Sequence, residues 1–283
     1  MNLGSSITTV IPVTGDRVVR GTIELPPEGT ESAPIILFIP GFKGFRDWGG
    51  WPMLTRAIAD AGFIVHRLDL SMNGFTGRSQ RHDEPEKFAK NTFAHDLEDL
   101  DVVLDCFDRW PIPRGLASDR LGIIGHSRGG VVSLLFAGEN PAIEAVATLG
   151  APAQGYRVFR EEKHQQWREQ GYLEIPNART GQILQLDVSV LEDFEANAER
   201  YDVEASVTSM PTPTLVVHGT EDETVPLGEA QQLVQWISDD FARLVTLETG
   251  HTFGYSHPQE DRNPLESVLA QHLIDWFVEE FSE

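Results

Sequence analysis

The chain has 283 residues, 40% of them hydrophobic and 9% aromatic, which is enough to bury a sizeable core and excludes disorder as its main state. Acidic residues outnumber basic ones 44 to 22, for a net charge of -22, and a surface this negative repels phosphate backbones and anionic lipid. Nucleic acid and membrane surfaces are therefore excluded as partners. Cys106 is the single cysteine and allows no internal disulfide. No basic segment followed by a long apolar run opens the chain, and no apolar stretch nears the roughly eighteen residues of a membrane span. The expectation is a soluble, cytoplasmic protein.

Short β-type runs alternate with helical patterns along the chain, which predicts an α/β fold with a mostly parallel sheet covered by helices on both faces. Residues 7–13 and 17–25 flank Thr14-Gly15-Asp16 and predict an N-terminal antiparallel edge hairpin. The continuous apolar run 35–39 suits a strand buried on both faces, and 63–68, 121–124, 145–149, 214–217 and 243–247 repeat the type. Those six runs predict the central strands.

Helical stripes lie between them. Leu54, Ala57, Ile58 and Ala61 share one face and stop at Gly62. Leu97, Leu100, Leu104 and Phe107 form a second stripe, with Asp96, Glu98, Asp99, Asp101 and Asp105 elsewhere on that helix and Cys106 beside the stripe as a packing residue. Leu265, Leu269, Leu273 and Trp276 make the final one.

Residues 152–213 break the rhythm: polar helical stretches at 156–170 and 187–201 are separated by 171–181, with no strong strand signal. An insertion this long predicts a small helical cap, with residues 1–151 and 214–283 forming the core. Its members Tyr156, Phe159, Trp167, Tyr172, Leu191 and Phe194 either pack the cap or line a pocket.

The chemical signal is Gly125-His126-Ser127-Arg128-Gly129, set between an apolar run and a helical one. A strand turning sharply into a helix at a serine forces unusual backbone dihedrals, and flanking glycines remove the side chains that would clash there. A serine hydroxyl needs a base to take its proton and an acid to orient that base. His251, in a loop after the last predicted strand, is positioned as the base, with His257 as runner-up. Asp222, in the loop after 214–217, is the chosen acid, and Glu221 and Glu223 are its alternatives. Two backbone donors for an oxyanion fall to the amides of Arg128 and Phe42, the latter in the turn Pro40-Gly41-Phe42-Lys43-Gly44. No spacing of paired ligands suggests a metal.

In Pro40-Gly41-Phe42, Gly125-His126-Ser127-Arg128-Gly129-Gly130, the segment 219–226 and Gly250-His251, the chain resembles the α/β-hydrolase superfamily. Its elbow carries serine and is most similar to serine esterases of the dienelactone-hydrolase-like and cinnamoyl-esterase-like kind. The resemblance implies an α/β-hydrolase fold, no cofactor, and hydrolysis of a small apolar or aromatic carboxylic ester through Ser127, Asp222 and His251. The same groups serve a thioesterase, peptidase, acyltransferase or carbon-carbon hydrolase, and the fold also serves as a non-catalytic binding protein. Phe45, Trp48 and Trp51 beyond the oxyanion loop, with Trp167 of the cap, either enclose the substrate or pack the loop. Anionic substrates are disfavoured by the overall field, which Arg128 locally reverses.

Lysine is scarce: Lys43, Lys87, Lys90 and Lys163 are the only four. High acid with little lysine suits concentrated salt, where self-repulsion is screened. The melting temperature is expected to rise in molar KCl; a melting temperature unmoved by salt contradicts this reading.

Overall fold

The computed structural model describes residues 5–155 and 161–282. In chain order the strands and helices are β1 (Ser6–Pro12), β2 (Val18–Glu24), β3 (Ala33–Ile39), α1 (Trp51–Asp60), β4 (Ile64–Asp69), α2 (Pro85–Phe88), α3 (Phe93–Asp105), β5 (Ala117–His126), α4 (Arg128–Glu139) and β6 (Ala145–Leu149). There follow α5 (Glu161–Gln170), β7 (Tyr172–Asn177), β8 (Gln182–Asp187), α6 (Val188–Ala196), α7 (Val203–Ser209), β9 (Thr214–Gly219), α8 (Leu227–Trp236), β10 (Ala242–Leu247) and α9 (Glu266–Glu280).

Eight strands form one sheet in the order β1-β2-β4-β3-β5-β6-β9-β10. The β1–β2 and β2–β4 pairs are antiparallel and the remainder parallel, so the expected edge hairpin and parallel centre are both present. Strand alternation splits the core in two. Ile35, Leu37 and Ile39 face one cluster, which holds Leu97 and Leu100 of α3 and Val131 of α4. Ile36 and Phe38 face the other, against Leu54 and Ile58 of α1 and Leu273 and Phe277 of α9. Helices therefore cover both faces, and α1 ends at Asp60, with Gly62 just beyond its cap at φ +112° as the left-handed stop. Among the described residues, no helix is long and apolar enough to cross a membrane.

Two expectations need correction. The run 243–247 becomes β10 at the sheet edge, not a central strand, and Arg243, Leu244 and Thr246 are exposed. The segment expected to be helical between β6 and β9 also contains an antiparallel hairpin, β7–β8, turning near Gly181 at φ +68°. Its period-two signal is real: Leu173, Leu184 and Leu186 are buried while Glu174, Ile183 and Gln185 are exposed. On α3, Asp96 and Asp99, off the apolar stripe, are nevertheless buried. Asp99 accepts from the Ser71 amide (2.6 Å) and Ser71 hydroxyl (2.9 Å) and pairs with Arg17, while Asp96 pairs with Arg128. Tyr156 and Phe159 lie outside the described residues.

Buried histidines give the fold a pH dependence with a definite sign. His66 in β4 is fully buried, hydrogen-bonded to the Thr9 hydroxyl (2.8 Å), and burial with the charges of Arg67 and Arg46 pushes its pKa down to about 3. In the unfolded chain it titrates near about 6.5. Between these values the unfolded state binds more protons, so this group's contribution to stability rises with pH and is lost on acidification. Asp99 works in the opposite direction, because burial raises its carboxyl to about 6. The rise of melting temperature between pH 4 and 6.5 is expected to be shallower in His66→Gln than in the parent; an equal slope contradicts the assignment.

Candidate active site

The sharpest backbone feature lies where β5 passes into α4. Ser127 has φ +53° and ψ -121°, a left-handed conformation that a non-glycine residue adopts only when its surroundings hold it there. The surroundings are tight. A Cβ on Gly125 would lie 2.2 Å from the Gly129 carbonyl oxygen, and one on Gly129 would lie 2.4 Å from that of Ile39, so both flanking positions require glycine. The Ser127 amide donates to the Leu149 carbonyl at 2.8 Å, tying the turn to β6. The side chain is thereby held at the N-terminus of α4, where the helix favours negative charge.

Two loops at the same sheet edge bring the partners. After β9, Asp222 is buried and accepts at Oδ1 from the amides of Thr224 and Val225, both at 2.8 Å. Its Oδ2 is 2.7 Å from His251 Nδ1, in the loop after β10. A carboxylate only accepts, so Nδ1 carries the proton and Nε2 keeps its lone pair. That Nε2 is 3.0 Å from Ser127 Oγ. Alcohol, imidazole and carboxylate thus stand in series, an arrangement chemically able to withdraw a proton from a serine and to stabilise the imidazolium that would result.

Further side chains hold this series. His126 donates from Nε2 to the His251 carbonyl (3.1 Å), and burial keeps its pKa down to about 3, so it braces as a neutral ring. His218 donates to the Val225 carbonyl at 2.8 Å and supports the Asp222 loop. The runner-up His257 accepts from the Gly49 amide (2.8 Å) and packs on Phe45, away from Ser127. Glu221 and Glu223 are exposed, leaving Asp222 as the carboxylate that faces the imidazole.

Phe42, Arg128, Ser127 and His251 share the wall of a cavity of about 560 Å³. Arg128 is the first residue of α4, so its amide has no partner within the helix. Phe42 lies in a turn closed by the Gly44 amide on the Gly41 carbonyl (2.9 Å). Sequence reasoning missed what anchors this turn. Asp69, at the end of β4, accepts from the Arg46 amide (2.7 Å) and Asn73 (3.0 Å) and pairs with the Arg46 guanidinium. Burial raises its carboxyl to about 6 although Arg46 opposes the rise. Asp96 was missed likewise, since only the fold shows that it meets Arg128, whose guanidinium also lies 4.5 Å over the Phe93 ring.

The four aromatic residues expected near the substrate do not line this cavity. Phe45 packs on Phe75 with ring centres 4.5 Å apart, Trp48 packs on Trp51, and Trp51 is wedged between Phe38 and His126. Trp167 is fully buried, its indole donating to the Leu186 carbonyl at 3.0 Å. These rings hold the loop and the hairpin in place. The apolar lining comes instead from Phe42, Val131, Leu186, Val190 and Val225.

Comparison with known proteins agrees with this architecture. The solved structure of Est1E from Butyrivibrio proteoclasticus with ferulic acid bound is similar over 97% of this chain and 100% of its own, at 20% identity and a TM-score of 0.70. Dienelactone hydrolase of Anabaena variabilis matches over 98% and 99%, at 17% identity and a TM-score of 0.64. A 2-hydroxy-6-oxo-6-(2'-aminophenyl)hexa-2,4-dienoic acid hydrolase of Metapseudomonas resinovorans is 22% identical over 269 residues, 86% of each chain. These likenesses show the α/β-hydrolase fold. The sequence pattern of the prolyl oligopeptidase family matches residues 55–282, most of the chain and all three members of the hydrogen-bonded series, and the chain belongs to that family of hydrolases.

Proposed function

We propose that the protein is a serine hydrolase that cleaves a small carboxylic ester through an acyl-enzyme. The observation that carries this reading is the unbroken series from Asp222 through His251 to Ser127, opening on a cavity of small-molecule size. His251 Nε2 takes the hydroxyl proton as Ser127 Oγ attacks the carbonyl carbon. The amides of Phe42 and Arg128 hold the oxyanion, and Asp222 stabilises the imidazolium. The tetrahedral intermediate collapses as His251 returns the proton to the leaving alkoxide, which departs as the alcohol. Water then attacks the acyl-enzyme along the same route and releases the carboxylic acid.

Residues 152–213 serve in this reading as a cap over the sheet edge, with the remainder as core. Leu186 and Val190 supply part of the cavity wall, and the hairpin reaches the core where the Asp187 amide donates to the Ala89 carbonyl (2.7 Å). The C-terminal part of the insertion is fastened to the core, because the Ser206 hydroxyl of α7 donates to the Leu134 carbonyl of α4 (3.3 Å).

Cleavage of an amide on the same groups is the second reading, favoured by the match to a peptidase family. The leaving group separates the two, so an ester and an amide with identical acyl parts are the test pair. The ester is expected to turn over faster, and faster turnover of the amide favours the peptidase.

Ser127→Ala and His251→Ala are expected to lower turnover of a nitrophenyl ester on the order of a millionfold, and Asp222→Asn about ten-thousandfold. A fluorophosphonate should label the parent once, at Ser127. Folded Ser127→Ala protein that hydrolyses the ester at near the parent rate overturns the proposal.

A further inference from the structure

In a chain where acids outnumber bases two to one, the wall around Ser127 inverts the balance: among the described residues, Lys43, Arg128 and Lys163 line it, and no aspartate or glutamate does. Half of the protein's four lysines stand at this one cavity. Of the other two, Lys87 is paired with Glu84 (3.2 Å) and Asp16 (3.5 Å), whereas Lys90 is exposed on the surface. The overall field therefore says little about what this cavity admits.

The three cations are not equivalent. Arg128 is matched by the buried carboxylate of Asp96, so its charge is offset from within the protein. Lys43 and Lys163 form no ion pair among the described residues. Lys43 is half-buried in the turn that carries Phe42, and its ammonium donates to the Pro176 carbonyl of β7 at 3.2 Å. An ammonium has three donors, so others remain for a ligand. Burial lowers the Lys43 pKa, and no carboxylate among the described residues pairs with it. Lys163, exposed on α5, also lines the cavity, so the cost of desolvation falls on Lys43. A desolvated cation without an anion is costly, and the cost is offset when a ligand supplies the missing charge.

We infer that the cavity takes an ester bearing a second, free carboxylate, which Lys43 and Lys163 hold while Ser127 faces the scissile carbonyl. The inference rests on the hydrolase reading above and adds the class of substrate to it. The cation pair would select against neutral esters of the same shape, because those leave both ammonium groups without a counter-charge. A carboxylate on the acyl part and one on the alcohol part use the same chemistry, and two substrate pairs separate them.

The acyl pair is 4-nitrophenyl hydrogen glutarate and its methyl ester, 4-nitrophenyl methyl glutarate. The alcohol pair is the butyrate ester of 4-hydroxybenzoate and that of methyl 4-hydroxybenzoate. The charged member of one pair is expected to have a kcat/KM at least about tenfold above its neutral twin, chiefly through KM, and added salt should narrow the gap. Lys43→Gln and Lys163→Gln should each lower that ratio, and the double variant should bring it to about one. Lys163 is exposed on its helix, so its variant stays informative even where Lys43→Gln disturbs the turn. Ser127-dependent hydrolysis that favours the neutral twin in both pairs, or a ratio unchanged in the double variant, overturns the carboxylate assignment and leaves the hydrolase reading standing. Hydrolysis that persists in Ser127→Ala overturns both.

Discussion

The structure turns on one contact, the 3.0 Å approach of an imidazole nitrogen to a serine oxygen held in a backbone conformation that serine does not favour. Neither group is placed by its own neighbourhood alone. Ser127 is held because the β5 to α4 turn is packed so tightly that only glycine fits beside it. His251 is held because its ring is fixed by Asp222 on one side and its carbonyl by His126 on the other. These groups leave the ends of β5, β9 and β10, strands that run parallel and therefore deliver their following loops to one edge. The parallel sheet converts a separation of 124 residues into a hydrogen bond.

Charge is arranged on two scales. The surface carries a large negative excess, while the interior around the site uses buried ions pair by pair. Asp69 with Arg46, Asp96 with Arg128, and Asp99 with Arg17 and Ser71 each join a segment beside the site to another that is distant in sequence. Breaking one member of such a pair leaves the other buried and uncompensated, which is why these pairs define geometry more than they add stability. Lys43 and Lys163 of the cavity wall are the exception, since neither forms an ion pair among the described residues, and the inferred ligand carboxylate rests on that.

Much of this was legible in the amino-acid sequence, for reasons that can be named. Runs such as 35–39 and 145–149 read as strands because both of their faces are covered. The elbow was legible because a glycine-flanked serine between a strand and a helix has few other uses. What stayed hidden depended on contacts across the fold. Asp96 and Asp99 look solvated on an amphipathic helix until Arg128, Arg17 and Ser71 are seen beside them. Trp48 and Trp51 follow the turn at 40–44 closely in sequence, yet pack against Phe38, His126 and each other. The β7–β8 hairpin does have an alternating pattern, but Pro176 and the polar residues around it made that pattern weak.

Trapping the covalent intermediate bears most directly on the central contact. The intact protein would be quenched with acid during turnover of a slowly released ester, then digested and weighed by mass spectrometry. An acyl group on the peptide containing Ser127, absent when Ser127 is alanine, is the expected result. Turnover that proceeds with no adduct at Ser127, or with the acyl group on another residue, would contradict the proposed chemistry.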